Sequence, residues 1–94
     1  MALLSTKNHL LKVETISLGS LNESVVHPRE AFAPAVKESA AAVVFAHNHP
    51  SGDPAPSEAD RRLKETGDLL GIRVLDHIIV GEGDYYSFAD QGVL

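Results

Sequence analysis

The sequence predicts an α/β fold in three layers, with a mixed β-sheet flanked by helices on both faces. Three observations lead there. Ala41 to Ala46 is a continuous apolar run with paired valines, which reads as a buried central strand. On either side of it, apolar residues recur at helical spacing, over 28–39 and 57–70. Outside those helices, runs rich in Val, Ile and Tyr are bounded by Asn and Gly turn signals.

Taken in order, Ala2 to Ser5 is a short apolar strand and Lys7-Asn8 turns it back into a second strand between His9 and Leu18. Gly19 to Asn22 turns the chain again, and Ser24-Val25-Val26 adds a brief extended piece. Pro28 suits the first position of a helix, where its missing N–H would be unpaired anyway. Phe32, Ala35, Val36 and Ser39 then face inward, and Pro34 is expected to bend or shorten the helix by removing one internal hydrogen bond. After the central strand, Asn48 to Pro56 is a loop with three prolines and a glycine. Ser57 to Leu70 forms the second helix, with Ala59, Leu63 and Leu70 inward and Gly71 as its stop. Ile72 to Val80 is a strand, and Gly81 to Asp84 turns it into a hairpin partner from Tyr85 to Phe88. The order is β-β-α-β-α-β-β.

Composition narrows the function classes. Ninety-four residues form one domain rather than two. With no cysteine, a disulfide scaffold, a thiol nucleophile and cysteine-bound zinc are all excluded. A net charge of −5 without a basic stripe speaks against extended contact with a phosphate backbone. The longest charge-free apolar run is too short to cross a bilayer, and Met1 to Ser5 has no basic n-region of a secretory signal. The expectation is a cytoplasmic protein.

The informative segment is His47 to Asp60. Residues two apart on an extended chain point the same way, so His47 and His49 can present two imidazoles together. Asp60 can join them if the loop folds back, and Pro50, Gly52, Pro54 and Pro56 set such a path. Two histidines, a carboxylate and a water make a catalytic zinc site. A chance His-x-His has an expected count of about 0.3 here, but adding Ser57 and Asp60 at fixed positions lowers it to roughly 0.001. Ser57 with Asp60 also reads as a helix N-cap followed by an acid that the helix dipole favours. The joint pattern favours a metal.

This segment, His-x-His followed by seven residues, Ser, two residues and Asp, resembles the JAMM motif of the zinc-dependent MPN-type peptidases. Ser24-Val25-Val26-His27-Pro28-Arg29-Glu30, His47 to Asp53 and Leu75 to Gly81 are similar to the bacterial RadC-type branch, and the resemblance spans nearly the whole chain. It implies a cytidine-deaminase-like (JAB/MPN) fold. It also implies that His47, His49 and Asp60 bind Zn²⁺ and that Ser57 stabilises the tetrahedral intermediate. The family's general-base glutamate would fall upstream of Ala2. Glu14 and Glu30 do not occupy the matching position, so the chain is expected to be a fragment that binds zinc with little peptidase activity. A helical DNA-binding-like region upstream belongs to the same expectation.

Three functions compete. The first is a zinc metallohydrolase acting on a peptide or isopeptide bond, and the second is a DNA-repair-associated nucleic-acid module. The third is a catalytically silent metal-binding scaffold. A zinc nucleobase deaminase is excluded by the missing cysteines and the missing His-x-Glu element. His77 reads first as a hydrogen-bonded strand residue and second as a fourth ligand or proton relay. His27 reads as part of a helix start, and His9 as exposed beside the first turn. Arg61, Arg62 and Lys64 read as a solvated helix face, and Tyr85, Tyr86 and Phe88 as packing and edge cover.

Overall fold

A computed structural model of the chain describes residues 1–15, 28–48 and 55–93. Its elements are β1 (Ala2–Leu4), β2 (Leu10–Val13), α1 (Pro28–Lys37), β3 (Ala42–Asn48), α2 (Glu58–Leu70), β4 (Arg73–Val80) and β5 (Tyr85–Ser87). The α/β class and the element order are those the sequence predicts. The expected extended piece at Ser24–Val26 and the far end of the second strand lie outside the described residues, as do His27, His49 and the side chain of Ala59.

The five strands form one mixed sheet in the order β2-β1-β3-β4-β5. Among the described residues, only β3 and β4 pair in parallel. Both β2 and β3 run antiparallel to β1, so they share a direction. The chain therefore crosses from β2 to β3 through α1, and from β3 to β4 through α2, moving the same way across the sheet. Two right-handed crossovers moving the same way place their helices on the same face. That is what is seen: Leu3, Ala31, Phe32, Ala35, Val43, Phe45, Leu63 and Ile72 belong to one buried cluster. The Phe32 ring of α1 meets Phe45 of β3 edge-on at 5.4 Å. Where the sequence reading puts a helix on either side, the described residues have both on one face.

Helix α1 opens on Pro28 and continues through Pro34, whose lost donor would have bonded the carbonyl of Glu30. It stops at Lys37, two residues short of the expected end. Ser39 takes a left-handed conformation at φ 54°, and bonds from Ser39 N–H to Val36 and from Ala40 N–H to Ala35 close a Schellman motif. Val36 faces out at 58% exposure, because Ala31, Phe32 and Ala35 form the inward stripe.

Helix α2 ends as predicted at Gly71, left-handed at φ 73°. Its inward stripe is Asp60, Leu63 and Gly67, which leaves Leu70 outside at 49% exposure. The reason is the close approach at Gly67. A Cβ there would lie 2.8 Å from both the Ile72 carbonyl oxygen and Val74 Cγ2, and 3.3 Å from Phe32. Gly67→Ala should therefore destabilise the fold by about 1–3 kcal/mol despite alanine's better helix propensity, read as a lower urea midpoint.

Strand β4 carries one irregularity that decides the site. Val43 pairs with Val74, but Val44 pairs with Asp76 and Phe45 with His77, so Leu75 is an extra residue. Side chains alternate along a strand, so one extra residue reverses which face the rest occupy. Val74 already faces the helices, and without the bulge His77 would face away from them. With it, His77 turns inward beside Phe45.

Candidate metal centre

Three elements converge at the carboxyl end of β3. Val43, Phe45 and His47 alternate onto the helix-covered face, the first two into the core and His47 at its rim. The first turn of α2 supplies Asp60, and the bulged β4 supplies His77. Ligand atoms of His47, Asp60 and His77 all lie within 4.8 Å of one another, a group that could bind a metal ion.

The orientation of Asp60 follows from its place in the helix. Ser57 is the N-cap and Asp60 the third helical residue, and together they close a capping box. Asp60 N–H donates to Ser57 Oγ at 3.2 Å, and Asp60 Oδ2 accepts from Ser57 N–H at 2.7 Å and Ser57 Oγ–H at 2.9 Å. The capping reading of this pair is thus realised, and it fixes the carboxylate plane. Oδ1 is left to face the histidines, 3.0 Å from His47 Nε2 and 3.4 Å from His77 Nε2.

Asp60 is 2% exposed. Burial alone would push its carboxyl group up. The hydrogen bond to His47, the N–H and hydroxyl of Ser57 and the charge of His47 outweigh burial and hold it far below the usual carboxylate range. It is ionised at neutral pH, the state in which a carboxylate ligates.

His77 lies deeper, at 1% exposure, its ring stacked on Phe88 at 4.9 Å and 16°. Phe45 at 5.4 Å and His47 at 5.0 Å complete the aromatic surround. A second carboxylate, Asp76, organises the turn that carries Phe88. Asp76 Oδ1 accepts from the N–H groups of His77 at 2.7 Å and Ala89 at 3.0 Å, and Oδ2 accepts from Ser87 Oγ–H at 2.7 Å.

The donor set fits zinc: imidazole nitrogen and carboxylate oxygen are its ligands in cysteine-free sites. His47 Nε2 and Asp60 Oδ1 lie 3.0 Å apart, near enough that one ion could be held by both. Of the residues the sequence singles out, His47, Ser57 and Asp60 come together. His49 lies outside the described residues. His77, read first as a strand residue, is brought to the carboxylate by the bulge. Glu14 follows edge strand β2, where it pairs with Lys12 at 2.7 Å. Arg62 and Lys64 pair along the exposed side of α2 with Glu58 and Asp68, which is the solvated face expected. Tyr85 is exposed and Phe88 buried.

The family model described as RadC-like JAB domain matches residues 1–93. The chain belongs to the RadC-like JAB domain family. Among curated relatives of this RadC-like JAB domain, a UPF0758 protein of Trichlorobacter lovleyi is 62% identical over 96 residues, covering 98% of this chain and 42% of its own length. UPF0758 protein GSU0386 of Geobacter sulfurreducens is 59% identical, with the same coverage of each chain. UPF0758 protein Mbar_A2303 of Methanosarcina barkeri is 58% identical over 93 residues, covering 95% of this chain and 41% of its own length. The RadC-like JAB domain thus spans about two-fifths of the length of these relatives. Among the described residues, no helix is long and apolar enough to cross a membrane.

Proposed function

We propose that this RadC-like JAB domain is a zinc-dependent hydrolase of peptide or isopeptide bonds, with His47, His49 and Asp60 as metal ligands. The observation that carries the reading is the Asp60 carboxylate: buried, ionised, fixed through Oδ2 by the Ser57 cap and turned through Oδ1 to His47. JAB domains include metallopeptidases, which supports the same reaction class. A zinc ion in this site would polarise a substrate carbonyl and lower the pKa of a water towards 7.

The residues of the chain divide the remaining work. His47 sits at the rim, where a substrate can approach. Ser57 keeps its backbone N–H on Asp60 Oδ2 while its hydroxyl proton rotates from Oδ2 to a developing oxyanion. The rotation leaves the hydroxyl oxygen accepting from Asp60 N–H, so the helix stays capped while the donor is lent to the reaction. On the family resemblance, a glutamate ahead of β1 moves the proton from water to the leaving amine, a role worth about 10²–10⁴-fold.

The test compares peptide and isopeptide cleavage by the 94-residue chain and by one extended upstream to include that glutamate, at equal zinc occupancy. Chelator-sensitive turnover by the extended chain, with about 10²-fold loss on Ser57→Ala, is the expected result. Zinc retention with no turnover by either chain would favour the silent-scaffold reading instead.

A further inference from the structure

We infer that His77 is a positioning residue for the metal ligand Asp60. Its Nε2–H donates to Oδ1 from the core side, while His47 and the metal approach the same carboxylate from the open side. The inference rests on the proposed metal site and adds to it a residue outside the His-x-His, Ser and Asp pattern.

Three observations carry it. The first is the set of contacts described at the Asp60 carboxylate. Oδ2 is used by the Ser57 N–H at 2.7 Å and hydroxyl at 2.9 Å. Oδ1 has His47 Nε2 at 3.0 Å and His77 Nε2 at 3.4 Å. A carboxylate oxygen has two lone pairs, one for a metal and one for a donor. The second is burial. The His47 side chain is 35% exposed and the His77 side chain 1%. His77 is closed in by Phe45 and Phe88, so its ring reaches Asp60 from the core side while His47 reaches it from the rim. The third is how firmly His77 is held. Its backbone N–H goes to Asp76 Oδ1, its carbonyl accepts from Phe88 N–H at 3.1 Å, and its ring lies flat on Phe88. A ring fixed by its own strand and by the following hairpin can set the angle of a neighbouring carboxylate. Groups that hold ligands in this way typically contribute about 10–100-fold to metal affinity.

The experiment has a metal-free arm and a metal arm. In the ¹⁵N-labelled apo chain, the imidazole spectrum should show His77 with its proton on Nε2, protected from exchange. Asp60→Ala should remove that protection. In the metal arm, Zn²⁺ affinity is measured by chelator competition, and Co²⁺ absorption reports the ligand set. His77→Phe keeps the ring on Phe88 without a donor and should weaken affinity about 10–100-fold with the Co²⁺ bands unchanged in shape. His77→Gln, which retains an N–H donor, should recover most of that loss. If His77→Phe does not fold, the His77→Gln result decides alone. Unchanged affinity in a folded His77→Phe chain overturns the inference, and so does an unprotected Nε2 in the apo chain. Loss of an imidazole ligand from the Co²⁺ spectrum of either variant would make His77 a ligand and also overturn it. A parent chain that binds no zinc, yet shows the protected proton, would refute the proposed function and leave the His77–Asp60 pairing standing.

Discussion

Asp60→Ala should abolish stoichiometric zinc binding. The parent chain is expected to carry about one zinc per chain, removable by a chelator. If three protein ligands share roughly 12 kcal/mol of binding, losing one costs about 4 kcal/mol, or about 10³-fold in affinity. His47→Ala should behave alike, because its Nε2 faces Asp60 Oδ1 at 3.0 Å. On the family resemblance His49→Ala should as well. Asp60→Ala also breaks the capping box, so part of any loss could reflect a frayed helix start. Asp60→Asn separates the two effects. Its side-chain oxygen can still accept from Ser57 N–H, so the helix keeps its cap while the charge that holds the ion is gone. Metal content by elemental analysis, with helix content by circular dichroism, reads both. Full zinc in both Asp60 variants would show that the site is wrongly placed.

What the sequence reveals and what it hides divide along a physical line. Local chemistry is legible: Gly71 ends α2, Ser57 caps it, and the apolar run around Val43 becomes the strand beside which the sheet is built. That His47, Ser57 and Asp60 meet is also legible, because those residues sit on one strand end and one helix start joined by a single loop. Long-range geometry is not legible. The strand order β2-β1-β3-β4-β5 decides that both crossovers move the same way, and the order of elements along the chain does not contain it. Val36 and Leu70 look inward by helical spacing, yet the stripes that pack are set by where Phe32 and Gly67 meet. His77 is the sharpest case. Apart from Arg73, Asp76 and His77, Ile72 to Val80 is apolar on both faces, so the face His77 takes depends on register. The extra residue at Leu75 sets that register, and nothing in the local sequence marks a bulge there.

Asp76→Ala should be among the most destabilising single substitutions away from the metal ligands, by about 2–4 kcal/mol at neutral pH. The carboxylate accepts from two backbone N–H groups and from the buried Ser87 hydroxyl, which in turn accepts from Asp90 N–H at 3.1 Å. Alanine would leave the His77 and Ala89 amides and the Ser87 hydroxyl without their acceptor. Asp76→Asn keeps one acceptor oxygen and can donate its amide to Ser87 Oγ, so its cost should be about 1 kcal/mol. The pH dependence carries a sign that tests the same contacts. Burial pushes the Asp76 carboxyl group up, but bonds from Ala89, Ser87 and His77 outweigh it and hold the group below its ordinary value. A carboxyl group lowered in the folded state stabilises fully above its unfolded pKa of about 3.9. That stabilisation is lost as pH falls through the folded value. The parent should therefore lose stability on acidification below about pH 4, and Asp76→Asn should lose less of it. Asp60 has the same sign and remains in the variant, so the slope should shrink without vanishing. Urea midpoints between pH 3 and pH 7, with chelator present to hold metal release constant, measure both effects. Equal midpoints for parent and Asp76→Ala at pH 7 would mean that the hairpin does not depend on this carboxylate. The positioning of Phe88 against His77 would then need another cause.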